Sequence, residues 1–257
     1  MVERPLRDKK NLSAYSCPDP REPWRYESVQ YLISRYGKTH AIVGAMPCTL
    51  FEAAWYLRGY EKFLTDLACC KDFVDELLDK LYDFQLITGT RLAEAGVDII
   101  WIGDDFGTQD SLIVSPETWR KFFKSRYASL IAAFKEIKPD VKVAYHSDGN
   151  IEPLLPEYIE IGVDIFNAVQ PKSVDPARLK RKYGTNLAYW GTVDIQEVLP
   201  YGTPEEVSGE VALRIHTVGP GGGFILAPSH NFQPDVPLEN MLAFYDAAGK
   251  YGTYPVA

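Results

Sequence analysis

The segment His146-Ser147-Asp148-Gly149-Asn150 follows an apolar run that ends Val143-Ala144-Tyr145. An imidazole and a carboxylate two residues apart leave one strand end together. Both are ligands for Zn²⁺ or another divalent metal, and a catalytic zinc wants about three protein ligands plus an open position. His230, in Ser229-His230-Asn231 after the last apolar run, supplies the third. The metal set is therefore His146, Asp148 and His230. A solvated loop histidine is the plainer alternative for either imidazole alone, and acid/base work is a second. The chain holds only 4 histidines, however, and two of them close apolar runs in equivalent places. The general polarity of strand ends does not predict that.

Asp104-Asp105 closes another such run, VDIIWIGDD. Two carboxylates there orient a substrate or exchange a proton if burial raises one of their pKa values; the alternative is a capping pair in the turn before Gly107. The catalytic candidates are thus Asp104, Asp105 and His146. Gln170, Trp190 and Asn231, at or near other strand ends, are candidate substrate contacts. Glu52, near the start of a helix, reads as a capping group.

These residues share one site only if their strands lie parallel in one sheet. Strand signals fall at about 41–46, 98–105, 142–148, 164–170, 187–193 and 223–228, with helical patterns between them. The clearest helix runs from Lys71 to Ala95 and stops at Gly96. Ser115-Pro116-Glu117-Thr118 and Thr203-Pro204-Glu205-Glu206 open two others. LAEAGVDIIWIGDD and YIEIGVDIFNAVQP repeat one another as helix end, Gly-Val-Asp-Ile, then strand. Strands that are apolar without alternation, separated by helices, indicate a parallel sheet covered on both faces. The expected fold is α/β, a (β/α)8 TIM-barrel-like domain, with a doubly wound sheet as the alternative. Six strand signals fall short of the eight of a closed barrel, so the barrel reads as incomplete at its N-terminal side or completed by a partner chain. One domain is expected over 1–257, with 1–24 an extended arm.

Composition bounds the partners. The 257 residues carry a net charge of −8 with no run of lysines or arginines, which disfavours nucleic acid and anionic membrane. No apolar stretch approaches the roughly 18 residues of a membrane span, and the charged, Pro-rich start does not read as a signal peptide. Cys17, Cys48, Cys69 and Cys70 form no CxxC pattern, none resembles a metal ligand, and a reduced cytoplasmic protein is expected. A homo-oligomer is compatible with all of this.

The chain resembles the uroporphyrinogen decarboxylase superfamily of (β/α)8 barrels from about residue 41 to 251. The resemblance is carried, in order, by GAMPCTL, GVDIIWIGDDFGTQ, SPETWRKF, HSDG, GVDIFNAVQP, WGTVD and SHNFQPDVPLENM. The family's first strand and its arginine-bearing N-terminal segment are not recognisable. A true decarboxylase carries a tyrosine where Ala53 stands and a serine where Asp105 stands. The other branch, methyltransferases that work with a corrinoid protein, carries zinc on a His-x-Cys pair and a distant Cys. His146 matches that histidine, Asp148 replaces the first cysteine, and the second falls in the Ser229-His230 region. The resemblance thus implies a metal-dependent methyltransferase that moves methyl between a small, for example methoxylated, substrate and cobalamin on a partner corrinoid protein. A decarboxylase or other metal-assisted lyase on a small carboxylic acid, and a non-catalytic barrel or assembly subunit, are the alternatives.

Overall fold

The computed structural model describes residues 4–256. Its first part is wound rather than extended: 3₁₀ turns occupy Lys9–Ala14 and Pro23–Tyr26, and Leu6 and Leu12 are buried. The reason is those two leucines, which a solvated arm would leave in water.

In chain order the elements are α1 (Glu27–Tyr36), β1 (Val43–Pro47), α2 (Phe51–Arg58), α3 (Tyr60–Cys69), α4 (Lys71–Ala95), β2 (Ile99–Gly103), α5 (Pro116–Trp119) and α6 (Ser125–Ile137). They continue with β3 (Lys142–His146), α7 (Leu155–Glu160), β4 (Ile165–Val169), α8 (Pro176–Tyr183), β5 (Ala188–Val193), α9 (Val198–Tyr201), α10 (Pro204–Val218), β6 (Phe224–Pro228) and α11 (Leu238–Tyr251). The six strands among the described residues follow chain order, β1 to β6. A doubly wound sheet reverses its strand order at a switch point. Uninterrupted chain order with a helical connection after each strand is the barrel winding instead, here with six strands rather than eight.

The chain divides into two compact units. The first contains residues up to Asp105, then Val114–His146 and Pro156–Val163. In it β1, β2 and β3 pair in parallel, Gly103 opposite both Pro47 and His146, so their C-terminal ends are level. Its helices α4 and α6 pack at Gly89, where an added Cβ would stand 2.1 Å from the Phe134 ring. α5 runs into α6 through a π-helical turn, Arg120–Lys124, that buries Phe122 and Phe123. The repeat read in the sequence has one shared cause. Gly96 and Gly162 both end their helices at positive φ, 95° and 93°, the left-handed closing geometry that favours glycine.

The second unit contains Phe106–Ile113, Ser147–Leu155 and the chain from Asp164 on. Here β4, β5 and β6 pair in parallel, and Val193, Leu199, Val207, Val211, Ile215 and Phe244 form a core beneath α10 and α11. α10 opens with a complete capping box, Thr203 with Glu206. No helix among the described residues is long and apolar enough to cross a membrane.

Two glycine substitutions should act in opposite directions. Gly89→Ala gains about 1 kcal/mol of helix propensity but meets the buried Phe134 ring, and overpacking of this kind costs about 1–3 kcal/mol. The net expectation is a lower urea midpoint. Gly209→Ala, in α10 with nothing within 4 Å of the new Cβ, should raise it.

Candidate functional site

The strand ends are built by hydrogen bonds that place polar groups locally. In the first unit Asp104, directly after β2, is fully buried. Its carboxylate accepts from the backbone N–H groups of Leu50 (2.8 Å), Phe51 (3.0 Å) and Glu52 (2.9 Å), and from the Tyr127 hydroxyl. It therefore caps α2 and ties β2 to both α2 and α6. Asp104 is expected from the sequence to handle substrate or a proton; here four donors use its oxygens and no surface of it reaches solvent. Burial pushes its pKa up to about 6, against the four hydrogen bonds, which lower it.

Asp105 is different. Its side chain is 38% exposed, and Oδ1 lies 3.8 Å from His146 Nε2, too long for a hydrogen bond. The His146 ring is set at 5.0 Å from Trp101, measured between ring centroids. Cys48 follows β1 with φ of 56°, rare for a residue bearing a side chain. Burial and the carboxylates of Glu52, Asp104 and Asp105 push its thiol up to about 12. It is a neutral thiol at ordinary pH, not a thiolate.

In the second unit the turn after His146 is fixed from three directions. Ser147 Oγ accepts from Phe106 N–H at 3.1 Å, and Ser147 N–H donates to Asn167 O at 2.8 Å. Gln170 Oε1 accepts from Gly149 N–H at 2.6 Å. Gly149 has φ of 77°, and a Cβ there would stand 2.4 Å from Thr108 O, so only glycine fits on both counts. Gln170, expected to touch substrate, thus spends its oxygen holding the turn from which Asp148 projects. Trp190 lies half-buried within β5, its carbonyl accepting from Asn167 Nδ2 at 3.1 Å. Asn231 is exposed, and its carbonyl accepts from Gln233 Nε2 at 3.4 Å.

Asp148 and His230 each offer a ligand atom, and these atoms lie within 4.8 Å of each other. His146, joined to Asp148 through Ser147 alone, offers the third ligand atom at the same spacing. All three residues are half-buried. The Gln233 amide is 3.4 Å from His230 Nδ1.

Three further residues help to build the strand ends. Cys48 and Thr192, with φ of 82°, are the two non-glycine residues of positive φ among those described, and both follow or end strands. The Thr192 hydroxyl is buried without a hydrogen-bond partner. Strained backbone of this kind gathers at functional sites; its only trace in the sequence is a small or polar residue beside proline (Pro47-Cys48) or glycine (Gly191-Thr192). Tyr127, the fourth donor to Asp104, left no trace at all.

Comparison with known proteins follows the same lines. The sequence pattern of the family described as "Uroporphyrinogen decarboxylase (URO-D)" matches residues 1–251. The chain is 24% identical, over 94% of its own length and 69% of the relative's, to the methylcobamide:CoM methyltransferase MtaA of Methanosarcina barkeri. It is 26% identical to the methylcobamide:CoM methyltransferase MtbA of Methanosarcina acetivorans, over 97% and 70%. The uroporphyrinogen decarboxylase of Psychromonas ingrahamii is 24% identical over 96% and 70%. A solved methyltransferase from Methanosarcina mazei superposes with a TM-score of 0.76 at 24% identity, covering 94% of this chain and 69% of that one. At that identity the superposition shows the shared fold. The chain spans about two thirds of the length of these relatives.

Replacing Asp104 by Ala should leave four buried donors without an acceptor, at about 1–3 kcal/mol each before relaxation, and so lower unfolding free energy by at least about 3 kcal/mol. The sign of the pH effect is opposite to that of an ordinary ion-paired carboxylate. With its folded pKa at about 6, above the ordinary 3.8, Asp104 holds its proton more tightly when folded. Its contribution therefore grows as pH falls through 6 and is lost as pH rises again. The stability gap between wild type and Asp104→Asn should widen from pH 7 to pH 4.5 in urea titrations.

Proposed function

The chain belongs to the uroporphyrinogen decarboxylase family of enzymes, and from that premise we propose that it is a metal-dependent methyltransferase. It moves a methyl group between a small, for example methoxylated, substrate and a corrinoid, a cobalamin carried by a partner protein. One observation carries the reading: three metal-ligand atoms, from His146, Asp148 and His230, grouped within 4.8 Å in a chain whose similar proteins include methylcobamide:CoM methyltransferases.

The donor set fits zinc or another divalent ion, with three protein ligands and room for a fourth from substrate or water. Bound there, such an ion supplies Lewis acidity toward an ether, hydroxyl or water oxygen. Two imidazoles and a carboxylate form a harder set than one containing thiolates, which favours oxygen over sulfur substrates. Gln170 and Ser147 hold the Asp148 turn in place. In demethylation of an ether the carbon–oxygen bond breaks, its electron pair stays on oxygen, and that oxygen must collect a proton. Asp105, 38% exposed and 3.8 Å from His146 Nε2, is the residue proposed to orient the water that delivers that proton. Trp190, Asn231 and the strained Thr192 are the candidates for substrate contact. All four cysteines are free, which supports a reducing compartment, the cytoplasm.

Purified protein should carry close to one divalent ion per chain and lose it in His146→Ala and in His230→Ala. Gly149→Ala, which disturbs the Asp148 turn without removing a ligand, should weaken metal binding about 10–100-fold, as loss of a supporting contact does. The metal-loaded protein should convert cob(I)alamin to methylcobalamin with a methoxylated donor, read by absorbance, and the histidine variants should not. Absence of metal after reconstitution would remove the reading. Metal-dependent turnover of a small carboxylic acid without any corrinoid would replace it with a lyase.

A further inference from the structure

On a chain of net charge −8, one concave region of the first unit has the opposite sign. A cavity of about 820 Å³ is lined by Arg4, Arg7, Lys9, Lys10, Arg58 and Lys62. The one carboxylate on its wall is Asp8, whose Oδ1 accepts from Lys10 N–H at 3.0 Å and caps the first 3₁₀ turn. Behind the wall Asp66, 3% exposed, pairs with Lys9 at 2.6 Å and with Arg58 Nε at 2.7 Å. Six cations against Asp8 and Asp66 leave an excess of four positive charges, taking one per side chain.

The wall is held in place. Arg58 Nη1 donates to the carbonyl oxygens of Leu6 (3.0 Å) and Arg7 (2.6 Å), which ties the N-terminal segment to the end of α2. Lys62 Nζ donates to Arg7 O at 3.1 Å, and Arg4 Nη1 to Trp55 O at 3.3 Å. Among the described residues, Arg4, Arg7, Lys10 and Lys62 form no ion pair with a carboxylate. Gathering four such cations costs Coulomb energy that water screens only in part and that a multivalent anion would offset.

The volume selects the ligand's size, since small-molecule sites run to about 300–1,000 Å³. A nucleic-acid strand needs cations spaced along a track, not gathered around one cavity. Arginine forks and lysine ammonium groups together suit phosphate oxygens, and a diphosphate packs the most charge into such a space. We infer that the cavity lined by Arg4, Arg7, Lys10 and Lys62 binds a compact, phosphate-bearing small molecule through its diphosphate group. The inference is independent of the methyltransferase reading.

Calorimetric titration of the full chain with inorganic pyrophosphate, and separately with ADP, tests it. Both probes should bind at one site, more weakly as salt rises. The double variant Arg7→Glu/Lys10→Glu should bind at least tenfold more weakly, while Lys121→Glu/Lys138→Glu, with the same charge change elsewhere, should not. Far-ultraviolet dichroism and melting checks that both variants are folded, and Arg7→Gln alone should give a smaller loss if the double variant is not. ADP binding more tightly than pyrophosphate would identify a nucleotide as the source of the phosphates; equal binding would mean that the free anion suffices. No saturable binding of either probe, or equal weakening in the two double variants, would overturn the inference. So would tighter binding of an oligonucleotide than of either probe.

Discussion

A carboxylate with no access to water organises the first unit. Asp104 accepts three backbone N–H groups from the first turn of α2 and the hydroxyl of Tyr127 in α6. Its own N–H donates to the carbonyl of His146 at 3.1 Å. One residue after β2 thereby fixes where α2 begins, how α6 lies, and where β3 ends. Desolvation opposes ionisation of such a group and the converging donors favour it. Burial wins, and the folded carboxyl ionises less readily than a free one, with its pKa pushed up to about 6. Asp105, one residue later, has its side chain 38% exposed with Oδ1 3.8 Å from His146 Nε2. Two adjacent aspartates are therefore set differently, one buried in the frame and one partly exposed beside His146.

The turn that bears Asp148 has the same logic in smaller form. Its backbone and hydroxyl bonds to Phe106, Asn167 and Gln170 are satisfied locally, and Gly149 lets it lie against the loop at Thr108. Cys48, the thiol that follows β1 in the first unit, is pushed up to about 12 by burial first and then by the carboxylates of Glu52, Asp104 and Asp105. The donors proposed for the metal are imidazole and carboxylate, which favour a harder, oxygen-seeking ion than a thiolate set would.

All six strands were legible in the sequence because each is a short apolar run between Gly- or Pro-marked turns, and each falls within two residues of its expected position at either end. The parallel chain order followed from the strand–helix alternation. What the sequence concealed was direction. Asp104 and Asp105 are identical in type and adjacent, and only the backbone shows that one points to the N-terminus of α2. Gln170 read as a substrate contact because a strand-end amide looks the same whether it faces a ligand or a backbone N–H. Arg4, Arg7, Lys9 and Lys10 read as parts of a solvated arm; the burial of Leu6 and Leu12 folds them into a wall. The π-helical turn at Arg120–Lys124 has no sequence signature and was absorbed into a single helix.

The claim on which the account turns is that the metal is held by nitrogen and oxygen without a protein thiolate. X-ray absorption at the metal edge of zinc-loaded protein measures this directly. The account predicts a first shell of light scatterers at about 2.0–2.2 Å, with the outer-shell pattern of two imidazoles. A sulfur scatterer at about 2.3 Å would contradict it, because it would place Cys48 or another cysteine on the metal in place of Asp148 or a histidine.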